Sequence, residues 1–401
     1  MITISKEEAR YTKAIFFLFG FGVMMIAPRT PDMKANLGVN NGTMGTLLSI
    51  GTIGAIFALA YMGQLVHRFG TRPVLIGTST CLYLSMGVQP HIHSTWLFAL
   101  DAMACGVGWA GMHTTVSSQA LYRQKLSGIP ILPRLHGMWS TGALLTAVIA
   151  ISITSHVSLA KHIDIGVSLV WLATMYSIHR LSPVMLKGTT EESDADSRAS
   201  LKSITTYIRE EWIVIIALTT GVMLEATTND WASLFTKEDI KASSSLSILS
   251  YIGFGAGMIL GRFNLHTLYL RYSERTLMRA SAIFGGTTFI VGVQIASHIA
   301  PHHKTLGLVI AALSFFLGGA GSAFMSPGMI TIATRHSRFP AGFVVAQMTL
   351  VNTSLFFFAK IGIAWVAQAT SITTALMIPG VVLLLTALFA KLASDQLSAT
   401  N

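Results

Sequence analysis

The sequence predicts an all-α membrane protein: twelve transmembrane helices in two pseudo-symmetric halves of six. Three observations carry this: the number and length of the apolar runs, the scarcity of charge, and the side on which the charge lies. Of 401 residues, 52% are hydrophobic and 11% charged, with a mean hydropathy of +0.61. Soluble domains carry about 25% charged residues. A helix needs about 20 apolar residues to cross a hydrocarbon core of roughly 30 Å. Twelve such runs follow one another at about 12–32, 43–66, 73–91, 95–119, 135–155, 164–183, 211–234, 245–265, 276–298, 305–330, 341–366 and 370–391. The ten-residue alternating segments of a membrane β-barrel are absent from the sequence.

The net charge of +10 is a statement about topology. With the N-terminus inside, twenty of the 27 lysines and arginines fall on the inner side, as the positive-inside rule requires. A multi-pass protein of the cell inner (plasma) membrane with both termini cytoplasmic is expected, with lipid as a partner and nucleic acid as none. Cys81 and Cys105 fall within predicted helices, so no disulfide framework is implied. The first run lacks a small-residue cleavage site and reads as an uncleaved helix. No nucleophile, base and orienting acid fall in a catalytic context, so an enzyme is not expected. His91, His93, His302 and His303 lie in outer loops without metal-ligand spacing, and neither metal nor cofactor is expected.

One long polar stretch divides the chain. Residues 184–210, with Glu191, Glu192, Asp194 and Asp196, read as a solvated cytoplasmic linker between bundles at 1–183 and 211–401. The halves echo each other. Arg68-Phe69-Gly70-Thr71-Arg72 follows the second run, and Arg271-Tyr272-Ser273-Glu274-Arg275 follows the eighth, 203 residues later. Parallel repeats related by an axis along the membrane normal are a known transporter plan.

At this point the residues resemble the major facilitator superfamily. Its loop after helix 2 reads Gly-x-x-x-Asp-Arg-x-Gly-x-Arg-Arg, and Gly63, Arg68, Gly70 and Arg72 stand in register with it. His67 occupies the acidic position and Pro73 the last basic one. The resemblance implies a cytoplasmic gate at this turn, shared with Arg271 and Arg275. His67 either makes the gate pH-sensitive, because an imidazole titrates near cytoplasmic pH, or is a tolerated replacement that weakens the latch. Further stretches resemble the bacterial YbjJ-like branch: Ala27-Pro28-Arg29-Thr30-Pro31, Cys105-Gly106-Val107-Gly108, His136-Gly137-Met138-Trp139-Ser140, Asn229-Asp230-Trp231-Ala232-Ser233 and Gly257-Met258-Ile259-Leu260-Gly261-Arg262.

Ionisable groups inside transmembrane helices cost roughly 2.5–3.5 kcal/mol or more and are functional candidates by default. Arg29, Asp101 and Glu225 stand on helices 1, 4 and 7. The superfamily arrangement implies that these helices, with helix 10, line the central cavity. A carboxylate without a partner in such surroundings takes up a proton. Glu225 is therefore a candidate proton carrier, with Asn229 on its face at i+4; the alternative is a permanent ion pair with Arg29 or Lys360. His113 on helix 4, and His136 and Trp139 sharing a face at the start of helix 5, are further candidates for substrate or proton binding. Asp230 reads as an outer gate or a helix-end hydrogen bond, and Lys360 as a snorkelling side chain. Gly318, Gly319, Gly321, Pro327 and Gly328 suggest a bendable helix 10.

The expectation is a monomeric secondary active transporter. It would move a small organic solute, sugar-like or a related polar metabolite, by alternating access in symport with protons. Two rivals stay open: a proton-driven exporter of amphipathic compounds, and a membrane sensor that binds a solute without moving it.

Overall fold

A computed structural model describes residues 6–127, 131–181, 201–337 and 341–393. The described residues are helical nearly throughout: α1 (Lys6–Val23), α2 (Thr30–Leu37), α3 (Asn41–Phe69), α4 (Thr71–Val88), α5 (Thr95–Ser127), α6 (Leu132–Ile153), α7 (Leu159–His179), α8 (Leu201–Glu238), α9 (Leu249–Tyr269), α10 (Glu274–Ile299), α11 (Lys304–Ser322), α12 (Met325–His336), α13 (Ala341–Ala369) and α14 (Ile372–Thr386). Each of the twelve predicted runs falls on one helix or on two in succession. Among the described residues, nine helices are long and apolar enough to cross a membrane. The all-α membrane fold class is borne out.

Two runs are broken. The first divides into α1 and α2 around a 3₁₀ turn at Ala27–Arg29, where Pro28 removes a backbone donor. The tenth divides into α11 and α12 at Ala323 and Phe324, between the glycine cluster and Pro327, where a bend was expected. The predicted linker lies outside the described residues up to 200. Its last ten residues are helical, because α8 begins at Leu201 and bends at Glu211, whose φ of −108° and ψ of 15° leave the helical range.

The chain forms two compact units, residues 1–39 with 47–199 and residues 40–46 with 200–401. In the first, Phe16, Phe19, Leu82, Tyr83, Met112, Val116, Ile163 and Val167 form the core. Trp171 Nε1 donates to Thr80 Oγ1 at 3.1 Å, tying α7 to α4. In the second, Phe315 of α11 stacks on Phe235 of α8 and meets Phe289 of α10 edge-on, with ring centroids 5.8 and 5.0 Å apart.

Glycines set how closely the helices approach. A Cβ on Gly54 would overlap the Met103 carbonyl oxygen, and one on Gly106 would overlap that of Gly51, so α3 and α5 touch backbone to backbone. In the second unit Gly257 stands in the same relation to Phe316, and Gly319 to Phe254. Gly108 meets Leu82 as Gly321 meets Gly285. In all three pairs the first-unit positions on α3 and α4 recur 203 residues later, the offset of the arginine echo, and those on α5 recur 213 later. The internal repeat is thus one of contacts as well as of letters. Small residues permit this because bilayer helices associate by close packing, with little hydrophobic drive between them.

Gly257→Val and Gly54→Val should each destabilise the protein in detergent by about 1–3 kcal/mol, through overpacking. Gly77→Ala and Gly87→Ala, whose Cβ would meet nothing within 4 Å, should leave the thermal midpoint unchanged. Scanning fluorimetry of the purified variants measures both.

Candidate functional site

In the first unit α1, α5 and α6 bring rings together. Trp109 and His113, four residues apart on α5, share a face, and their rings stack at 5.6 Å with an interplanar angle of 8°. Gly20 lets the start of α6 close onto α1, because its Cα lies against the Trp139 backbone carbonyl. That approach places the His136 ring 6.1 Å from His113 and edge-on to Phe16 at 5.7 Å. Phe19 closes the group, 6.3 Å from His113. Ser117, a turn beyond His113, has a buried hydroxyl with no partner among the described residues. The two candidate histidines thus form one cluster of imidazole donors and acceptors between aromatic faces, with Trp139 half-buried beside it.

Asp101 lies twelve residues from His113, about 18 Å along α5 at 1.5 Å per residue. The Ser85 hydroxyl of α4 donates to its Oδ2 at 2.8 Å. Arg29 is held elsewhere again. It is 2% exposed and its Nε donates to Asp32 at 2.5 Å. Its Nη1 and Nη2 donate to the Val157 carbonyl at 3.3 Å, and Nη1 stands 3.3 Å from His162 Nδ1. This guanidinium staples the broken first helix to the turn before α7, and its nitrogens are taken up by protein.

The turn between α3 and α4 is a single residue, Gly70, with φ 83° and ψ 164°, a conformation that a side chain would strain. The motif glycine there has a backbone cause. Arg72 donates to the carbonyls of His179 and Leu181, closing the C-terminus of α7. Arg275, 203 residues on, donates to the Lys391 carbonyl after α14 at 3.5 Å. Each second arginine of the echoed pairs therefore caps the last helix of its own unit, a favourable place for a cation. Arg68, over the Phe69 ring at 5.2 Å, and Arg271 are exposed. A Cβ on Gly63 would meet nothing within 4 Å. The His67 side chain lies outside the described residues.

In the second unit α8 carries two ion pairs. Arg262 of α9 donates through Nη2 to Glu225 Oε1 and Oε2 at 3.2 and 3.3 Å, the two side chains being 34% and 32% exposed. Lys360 of α13 pairs with Asp230 at 2.8 Å. The expected alternative partners of Glu225 are thus both engaged elsewhere, Arg29 with Asp32 and Lys360 with Asp230. Lys360 turns inward to a carboxylate where snorkelling was expected. Asn229, half-buried, makes no side-chain hydrogen bond among the described residues. Sequence reasoning missed Arg262 because it ended helix 8 at residue 265; α9 runs to Tyr269, which leaves Arg262 about two turns inside. It also missed Trp109, whose i, i+4 spacing to His113 was visible.

A helical bundle with ion pairs on its membrane helices and a ring-lined cluster of histidines defines a polytopic solute carrier. Residues 14–362 match the family model of the Major Facilitator Superfamily, and the chain belongs to that superfamily. It is 24% identical to an uncharacterised MFS-type transporter of Yersinia pestis over 91% of this chain and 90% of that one. It is 25% identical to an uncharacterised transporter of Sinorhizobium fredii over 95% and 97%. Its fold is similar to that of the nucleoside transporter NupG, with a TM-score of 0.75 at 15% identity over 96% of this chain and 99% of that one. It is also similar to a D-xylose-proton symporter, with a TM-score of 0.74 at 14% identity over 97% and 98%. The protein is a multi-pass membrane transporter and not an enzyme.

Asp230→Asn should leave Lys360 without a counter-ion and destabilise the protein toward the lower end of the roughly 3–5 kcal/mol that breaking a buried pair costs. Asp230→Asn combined with Lys360→Met should recover most of that loss. Thermal midpoints of the single and double variants decide it.

Proposed function

We propose that the protein is a secondary active transporter that moves a small polar organic solute by alternating access, in symport with a proton carried by Glu225. The observation that carries the reading is the Glu225–Arg262 pair: an acid and a base on apolar helices, each one-third exposed. A carboxylate in that position holds its charge while the arginine faces it and takes a proton when the arginine is drawn away. Solute would bind beside this pair, with Asn229 of the same helix as a further polar contact; in the first unit, Asp101 and the His113–His136 cluster with Trp139 are separate candidates for solute or proton binding. Arg29, enclosed by Asp32, Val157 and His162, holds the outer end of helix 1 in this reading.

The cytoplasmic gate would be the turn containing Gly63, His67, Arg68, Gly70 and Arg72, with its counterpart at Arg271 and Arg275. Arg72 and Arg275 keep each unit's last helix closed, and the exposed Arg68 and Arg271 remain for the moving contacts. The stretches quoted above resemble the YbjJ-like branch, and the excess of lysine and arginine on one side of the predicted helices supports an inner-membrane protein with both termini cytoplasmic. The likeness in fold to a nucleoside transporter and to a xylose–proton symporter supports transport of a small solute.

In proteoliposomes an imposed inward proton gradient should drive accumulation of a solute found by screening sugars, nucleosides and organic acids. Glu225→Gln should abolish the gradient-driven accumulation and keep counterflow between equal concentrations. Loss of both, or of neither, would sink the proton-carrier assignment.

A further inference from the structure

Arg262 differs from the other arginines held inside the bundle. Arg29 commits three nitrogens to Asp32, Val157 and His162. Arg123, buried, holds Glu8 at 2.5 Å and also the Thr12 hydroxyl. Arg262 commits only Nη2, and that loosely, with both Glu225 oxygens beyond 3.1 Å. A guanidinium has five N–H donors in a planar fork suited to two carboxylate oxygens at once. Among the described residues nothing engages Nε or Nη1 of Arg262, and the side chain is 34% exposed. A cation with an open fork, on an apolar helix and beside an acid, is arranged to receive an anion.

The geometry points to Arg262 as the binding group for the carboxylate of a small monoanionic organic acid, with Glu225 taking up one proton as the anion arrives. This rests on the reading of Glu225 as proton carrier and deepens it by naming the substrate class. The charge balance supplies the coupling. Empty, the pair is Arg⁺ with Glu⁻ and sums to zero. An anion added to that pair leaves an uncompensated negative charge among apolar helices, which is costly. With the anion on Arg262 and a proton on Glu225 the sum is zero again, so each ligand strengthens the binding of the other, as linkage requires. One proton and one monoanion cross together, and the cycle moves no net charge.

The surroundings favour a single negative charge. Lys360, on α13, is occupied by Asp230. On α12, Arg335 lies near the far end and pairs with Glu274 at 2.7 Å, with His336 beside it. On α9, His266 follows Arg262 by one turn and its side chain lies outside the described residues. The only ionisable residue of α11 is Lys304, at its start, and α14 has none.

The test uses purified protein and three matched pairs of probes: lactate and lactamide, gluconate and gluconamide, benzoate and benzamide. Stabilisation is followed by thermal midpoint from pH 5 to 8, and binding by calorimetry. At least one acid should stabilise the wild type, more strongly as pH falls, while its amide does not. Glu225→Gln, which keeps the acid permanently neutral, should bind that acid more tightly by a factor within the roughly 5–150-fold typical of coupled sites, and without pH dependence. Arg262→Gln combined with Glu225→Gln leaves no unpaired charge and should lose the acid altogether. The inference is overturned if amides bind as well as acids, if Glu225→Gln weakens acid binding, if the double variant keeps it, or if no acid binds either form. Proton-driven uptake of an uncharged solute would also overturn it while leaving the transporter and its proton carrier standing.

Discussion

Hydrocarbon offers no hydrogen-bonding partner and no screening for charge, and each level of this structure answers to that. Backbone donors and acceptors must be satisfied within a segment, which leaves helices as the only long elements. Apolar side chains gain little by leaving lipid for one another, so helices adhere through contact at short range. Gly54 on Met103 and Gly257 on Phe316 are that contact, backbone against backbone with no room for a methyl group. The same constraint pairs charges that remain on the helices: Glu225 with Arg262, and Asp230 with Lys360.

The recurrence of contacts at constant offsets gives the two units a common construction rule. Positions on α3 and α4 repeat at 203 residues and those on α5 at 213, so the second unit carries ten extra residues between its counterparts of Leu82 and Gly108, taken up within α10 and α11 because the turn joining them is no longer than that between α4 and α5. The arginines follow the rule as well. Arg72 and Arg275 each reach the carbonyls that end the last helix of their unit. The echo in the letters around the two turns therefore reflects a stabilising role that both units share. The departures lie elsewhere: the first unit holds a cluster of rings around His113 and His136, and the second holds intramembrane ion pairs. Function is expected to reside where a duplicated scaffold ceases to be duplicated.

Within the second unit the two ion pairs are not equivalent. Asp230 and Lys360 meet at 2.8 Å and are mostly enclosed, a tie between α8 and α13. Glu225 and Arg262 are farther apart, more exposed and joined through one nitrogen. The first pair has the geometry of a structural bond, and the second that of an interaction that a proton and a ligand can exchange.

The helices, their approximate limits, the repeat and the bend in helix 10 were legible in the sequence, because they follow from run length, glycine and proline placement, and charge asymmetry along one dimension. Gly70 was legible as a motif glycine, but the one-residue turn that holds it at positive φ was not, because the predicted runs stopped at 66 and resumed at 73. The candidate residues Glu225, Asp101, Arg29, His113 and His136 were legible as ionisable groups in apolar runs. Their partners were not. Whether Glu225 faces Arg29, Lys360 or Arg262 depends on helix rotation and neighbour choice, which no spacing within one helix encodes. Arg262 was read as closing helix 8, because the predicted run stopped at 265 and α9 continues one turn further, to Tyr269. Single segments therefore determined what can cross the membrane, and the packing of segments decided which charges meet, because an ion pair is a property of two helices and of the distance between them.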